Sequence, residues 1–412
     1  MNYSSKYIDE LNKDNNFIKS NLEKVVRLLD ILNYISTELD PSQDKLVLKG
    51  GTAINLMFTE LARLSVDVDL DYIGSLDKEK TKQDRIVIMD ALDNYMRGEG
   101  YDISPKSRGS AILENRTYSY TNAYGNRDNI KVEINFIDRI HIGPSVKKLV
   151  NCFDKKVMVL APLEEELFAM KICALIDRSK PRDLFDVNKL KGHRPFLDME
   201  RLKKFTVFYM SLDGIFKVNE SSFDKIKTIN QEDIKKELLP VLPKKSRFDL
   251  ASAKDDVITF LKELLVLNEG EKKYLEGFSK GNFDPCLLFD KAFDADRAAK
   301  HPMAKWRAAN INHLLTVQRR RVAQQAVHHD LAVHLHPIVV GELDSNIGKP
   351  QPVAVLDVTP HAPHTAHVTI GNEIQLLVVA GPVIVIFGHQ QHVVVHQQVL
   401  TVEDAVADAQ II

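Results

Sequence analysis

Between residues 17 and 39 apolar side chains recur at Ile18, Leu22, Val25, Val26, Leu29, Leu32 and Ile35. Steps of three and four put them on one face of a helix, and that face must pack on something. Asp40-Pro41-Ser42 breaks the pattern, and residues 45–48 read as a short buried strand running into Gly50-Gly51. Residues 52–61 suit a helix, 66–72 a second strand and 78–96 another helix. Residues 111–120 and 129–136 form a hairpin around Tyr124-Gly125-Asn126. Beyond Pro162 the spacing turns helical, over 163–176, then 183–190, then several weaker segments to about residue 300. The expected fold class is therefore α/β (α+β). A mixed sheet with helices occupies residues 1–155, followed by a helical part over 156–310.

Composition changes that picture only near the C-terminal end. The chain has 412 residues, 44% apolar and 27% charged, with a net charge of −2, as an ordinary globular protein of two or three domains would. Residues 1–310 hold 51 Lys+Arg against 49 Asp+Glu, so any nucleic-acid surface must be a local patch. Arg201, Lys203 and Lys204 form one candidate, and Lys244, Lys245 and Arg247 another; solvated faces are the simpler account of both. In residues 311–412 Tyr and Trp vanish, Lys349 is the only lysine, and eleven of the fourteen histidines appear. The segment reads as an unrelated or frame-shifted sequence, with a genuine appended domain as the alternative, and no fold is predicted for it. Runs such as Leu376-Leu377-Val378-Val379 and Val393-Val394-Val395 have strand propensity. His328, His329, His334 and His336 have no carboxylate or cysteine at ligand spacing and do not suggest a metal site. Cys152, Cys173 and Cys286 form no CxxC pair, which argues against a zinc site or disulfide framework. The start has no signal-peptide pattern, which predicts a cytoplasmic protein with no membrane partner.

The chemistry concentrates in two short stretches. In Val66-Asp67-Val68-Asp69-Leu70 the period of two directs Asp67 and Asp69 to one face and the apolar residues to the core. Such a pair can hold Mg²⁺ against a nucleotide's phosphates. Gly50 and Gly51 admit a phosphate closely at a helix start, whose free amides favour anions. Thr52 offers either a hydroxyl to a terminal phosphate or a helix cap. A third carboxylate is expected from a neighbouring strand, and Glu133 in Lys131-Val132-Glu133-Ile134 supplies it, with Asp138 as competitor. Lys171 and Arg178, seven apart, share a helical face and can offset triphosphate charge; an internal ion-pair network is the alternative. Asp183 either joins the site or caps a helix.

Taken together, Lys49-Gly50-Gly51-Thr52-Ala53, Arg63-x-Ser65-x-Asp67-x-Asp69, Lys131-x-Glu133, Lys171, Arg178 and Arg182-Asp183-x-x-Asp186 resemble, in order and spacing, the motifs of the AbiEii family of nucleotidyltransferase toxins. His301-Pro302-Met303-Ala304-x-Trp306-Arg307 resembles its closing segment, so the likeness spans about residues 15–310. The resemblance implies a polymerase-β-like core with a helical C-terminal domain. It also implies a toxin of a toxin–antitoxin or phage-abortive pair that uses a nucleoside triphosphate and Mg²⁺ or Mn²⁺. Some relatives append nucleotides to the 3′ end of tRNA and block translation, which makes tRNA or another RNA the expected partner. A separately encoded antitoxin that forms no stable complex is expected as well. Carried onto this sequence, the resemblance assigns nucleotide contacts to Lys49, Gly50, Gly51, Thr52, Arg63, Ser65 and Arg178. It assigns metal binding to Asp67, Asp69 and Glu133, and completion of the catalytic set to Lys171 and Asp183. Glu133 stands where the family commonly has Asp. Transfer to a small-molecule or protein hydroxyl remains an alternative on the same fold, as does an inactive nucleotide-binding regulator.

Overall fold

Strand β1 (Leu46–Leu48) is buried on all three residues and leads through Lys49 into helix α3 (Gly50–Met57), which leaves only a single residue between sheet and helix start. Two helices precede it. α1 (Ser5–Asn15) is capped by Ser4, whose Oγ accepts from the Tyr7 amide. α2 (Lys19–Tyr34) buries Leu22, Val25, Val26 and Leu29 and continues as a π-turn over Ile35–Leu39. The turn ends at Asp40, whose carboxylate accepts from the amides of Lys45 and Leu46 and so fixes the entry of β1. In a computed structural model of the chain, the described residues are 2–311, 313, and three short strands at 366–370, 374–378 and 384–387.

β2 (Asp67–Tyr72) follows α3 and precedes α4 (Lys78–Gly98), capped by Asp77. The short strands β3 (Asp102–Ile103) and β4 (Arg108–Gly109) then lead to the hairpin of β5 (Leu113–Thr121) and β6 (Arg127–Asn135). The sheet order is β1-β2-β6-β5-β3, with β4 also on β5. β2 and β6 run parallel and the other pairs antiparallel, so the sheet is mixed as expected. Val68, Leu70, Val132, Ile134 and Phe136 are buried, which leaves the alternate residues of β2 and β6 on the other face.

A second hairpin, β7 (Val146–Cys152) with β8 (Lys155–Ala161), was not foreseen, and the expected boundary at 155/156 cuts into β8. Helices begin at α5 (Glu164–Arg178), followed by α6 (Pro181–His193), α7 (Met199–Asp213), and the short α8 (Asp224–Lys227) and α9 (Gln231–Asp233), the last running into a π-turn over Ile234–Leu238. α10 (Leu250–Leu264), α11 (Glu269–Phe278) and α12 (Ala292–Lys300) complete the set. Sheet and helices share one hydrophobic core, from Ile8 to Ala308.

The chain divides into units of residues 1–312 and 313–412. In the second, β9 (Ala366–Ile370), β10 (Ile374–Val378) and β11 (Ile384–Phe387) form an antiparallel sheet with β10 central. Leu376-Leu377-Val378 thus lie in a strand. Val393 to Val395 and the four histidines at 328, 329, 334 and 336 lie outside the described residues.

Candidate active site

The parallel register of β2 and β6 sets Asp67 beside Lys131 and Asp69 beside Glu133. Facing them is the turn into α3. The Lys49 amide donates to the Asp69 carbonyl (2.9 Å), so the turn is fastened to the strand that bears the carboxylates. Gly50 has φ of 69°, and a Cβ there would stand 2.8 Å from Asp69 Oδ2. A Cβ on Gly51 would overlap the Arg63 guanidinium. Glycine is required at both positions, for conformation at one and for space at both. The first amides of α3 have no acceptor within the helix and carry the positive end of its dipole.

These groups border a cleft of about 590 Å³. Its rim brings together Lys49, Gly50, Gly51, Arg63, Ser65, Asp67, Asp69, Lys131 and Glu133 with Lys171, Arg178, Lys180, Arg182, Asp183 and Glu237. Of the expected site residues only Thr52 is missing from the rim. Its side chain is fully buried and its hydroxyl donates to the Asp67 carbonyl (2.5 Å), so it secures the helix to the strand instead of reaching a phosphate.

Two further expectations change with the geometry. Asp183 makes no cap bond to α6; its Oδ1 is 2.9 Å from Lys171 Nζ, and Arg178 Nε donates to its Oδ2 (2.7 Å). Arg63 borders the cleft but is only 2% exposed, and it grips Asp186 with Nε (2.8 Å) and Nη2 (2.7 Å) while Nη1 reaches the Leu64 carbonyl. Lys171 also approaches Asp186 at 3.3 Å. The internal ion-pair network weighed from the sequence is therefore present, with Arg63, Lys171, Asp183 and Asp186 buried and Arg178 exposed. Neither basic patch behaves alike: Arg201, Lys203 and Lys204 are paired with Asp294, Glu271 and Asp290, while Lys244, Lys245 and Arg247 are exposed.

The electrostatics differ around the cleft. Burial, then the like charges of Asp67 and Glu133, pushes the Asp69 carboxyl up to about 6. Burial would also raise Asp183, but Lys171 and Arg178 outweigh it and hold that carboxyl below its usual range. Asp71, two residues on along the same face and buried, is held at about 2 because Lys49 and His141 outweigh its burial. Lys49 Nζ lies 2.5 Å from Asp71 Oδ1, so its charge is paired beside the cleft.

Adjacent half-buried aspartates offer hard oxygen donors whose mutual repulsion a cation would relieve, and they fit an ion such as Mg²⁺, which takes one or two carboxylates and completes its shell with water and phosphate. Among the described residues no group of three His, Cys, Asp or Glu side chains is gathered as a metal cage. Glu133 is engaged instead by Lys131 (2.7 Å) and Asn115 (3.4 Å).

Lys180, Glu237 and His141 were missed in the sequence. Lys180 stands just before the helix-opening Pro181, and its ammonium meets Glu237 (3.0 Å) 57 residues away, a pairing with no local signal. Arg182 Nε donates to the carbonyl of that same Glu237 (2.8 Å).

No curated protein matches the sequence. The fold is similar to that of MenT4, a nucleotidyltransferase toxin from Mycobacterium tuberculosis H37Rv, with a TM-score of 0.50 and 15% identity over 66% of this chain and 93% of that one. No helix among the described residues is long and apolar enough to cross a membrane. Residues 34–259, more than half of the chain, match the family described as nucleotidyl transferase AbiEii toxin, type IV toxin–antitoxin system. Nucleotidyltransferases of this kind draw on a nucleoside triphosphate, generally with divalent metal ions, and a separate antitoxin opposes them. The chain is an enzyme of the AbiEii family of nucleotidyltransferase toxins.

Proposed function

We propose that this toxin transfers a nucleotide from a nucleoside triphosphate to an RNA 3′ end, that tRNA is the acceptor, and that the addition blocks translation. The observation that supports this most is the placement of Asp67 and Asp69 opposite the Gly50-Gly51 turn in a cleft rimmed by cations. Asp67 and Asp69 would hold Mg²⁺ or Mn²⁺, with Glu133 joining if it leaves Lys131. Bound there, the metal supplies Lewis acidity at the phosphates. The amides of Gly50 and Gly51 receive the triphosphate, Ser65 adds a hydroxyl beside it, and Lys171 and Arg178 face its negative charge. Asp183 keeps those two cations aimed at the cleft. Residues 1–155 then bring the carboxylates and the turn, and residues 156–310 bring Lys171 and Arg178. On these substrates the enzyme would act in the cytoplasm, opposed by an antitoxin that forms no stable complex with it.

The test is incubation of the full chain with each labelled triphosphate and total tRNA, beside Asp67→Asn. Label on tRNA with the parent chain and none with the variant is the expected result. Label confined to protein or small molecules would replace the RNA acceptor, and full labelling by Asp67→Asn would overturn the site.

A further inference from the structure

Beyond Asp69 on β2 a line of buried polar contacts runs from α12 to the glycine turn. Arg297 on α12 donates from Nε to the His141 carbonyl (2.6 Å). The His141 ring is 1% exposed, with Nε2 2.9 Å from Asp71 Oδ2. Asp71 is ionised and can only accept, so Nε2 carries the proton and donates. The other oxygen of Asp71 is 2.5 Å from Lys49 Nζ, and Lys49 immediately precedes Gly50.

The segment that presents His141 is itself gripped by the helical half. Glu166 on α5 accepts from the amides of Ile142 (2.7 Å) and Gly143 (2.9 Å) and from the Tyr209 hydroxyl of α7 (2.6 Å). Residues 141–143 thus form a shelf fixed from α5, α7 and α12, and the shelf sets one donor against Asp71 of β2. α12 lies beyond the residues 34–259 that match the family. A buried carboxylate held on both oxygens has one orientation; held on one, it can swing and take Lys49 with it. Gly50, at φ of 69°, is the neighbour least able to resist.

The geometry points to His141 as a positioning residue for the nucleotide, held by Arg297 and Glu166 and acting through Asp71 and Lys49 on the Gly50-Gly51 amides. This rests on the reading of that turn as the triphosphate cradle. His141 touches neither substrate nor metal. Its loss acts on nucleotide affinity and leaves acceptor affinity alone.

The experiment uses the full chain as parent, His141→Leu, His141→Gln and Arg297→Ala. Calorimetry gives the affinity for the α,β-methylene analogue of each of the four triphosphates, steady-state transfer to total tRNA gives KM and kcat, and thermal unfolding gives the folded fraction. His141→Leu raises nucleotide Kd and KM about tenfold with tRNA KM unchanged, and Arg297→Ala raises them about threefold. His141→Gln, whose amide N–H can reach Asp71, returns them to within about threefold of the parent. Parent-like nucleotide affinity in His141→Leu overturns the inference, as does a loss in Leu and Gln variants alike that follows only the unfolded fraction. Should His141→Leu not fold, unchanged affinity in Arg297→Ala overturns it. A parent that neither binds an analogue nor labels tRNA overturns the cradle and this inference together, whereas failure of the variants alone overturns only the latter.

Discussion

On the sheet side of the cleft, Asp67, Asp69 and Glu133 crowd like charges together, with Lys131 drawn to Glu133. On the helical side, Asp183 is bound by Lys171 and Arg178, and Asp186 by Arg63 and Lys171. One wall crowds acids together, while on the other each acid is held by two cations. The difference separates chemistry from architecture. A wall whose carboxylates repel each other favours a cation, while a wall of paired and mostly buried charges sustains the shape of the cleft.

Substitutions on the two sides should therefore fail in opposite ways. Asp67→Asn should reduce transfer by about a hundredfold or more, while unfolding occurs at the same temperature or higher, since a like charge is removed. Enzyme assay and thermal melt on one preparation check both halves of that statement. Asp186→Ala should do the reverse first. It strands the buried Arg63 guanidinium and should lower stability by about 3–5 kcal/mol, read from urea unfolding, with activity lost only as the fold is lost.

A pH titration of stability sharpens the contrast from the buried interior. His301 is fully buried, and burial lowers its pKa to about 4, with Asp138 opposing and His141 and Arg139 adding to the depression. The folded chain keeps the ring neutral while the unfolded chain protonates near 6.5. Stability is thus whole above that value and falls by up to about 3 kcal/mol as pH drops toward 4. His301→Gln should remove that part of the slope in urea melts at a series of pH values. The smallest effect is expected at the turn. Gly50→Ala places a methyl against Asp69 at positive φ and should destabilise by about 1–2 kcal/mol, with weaker binding of a triphosphate analogue by calorimetry.

Whatever depends on a local period was legible in the sequence. Asp67 and Asp69 share a face because strands alternate, and Lys171 and Arg178 meet because helices repeat; both appear in the structure as read. The pairing of β2 with β6, which brings Glu133 to Asp69, was reached only as an expectation that a neighbouring strand would supply an acid. What failed was partner choice over distance. Arg63 read as a nucleotide contact because it stands among the residues of the motif, and only the fold reveals Asp186, 123 residues on, as its partner. Thr52 followed the same logic, since a hydroxyl beside two glycines gives no hint that the Asp67 carbonyl is nearer than any ligand. The β7–β8 hairpin was missed because Lys147, Lys148, Lys155 and Lys156 mask its alternation.

The Arg63–Asp186 pair also sets a clock on the protein's birth. A ribosome adding about 5–20 residues per second needs some 6 to 25 seconds to travel the 123 residues between them, and the tunnel delays Asp186 further. Until then the carboxylates and glycine turn lack the ion-paired wall across the cleft. The cleft therefore takes its shape late, only once the segment that carries Asp186 has left the ribosome.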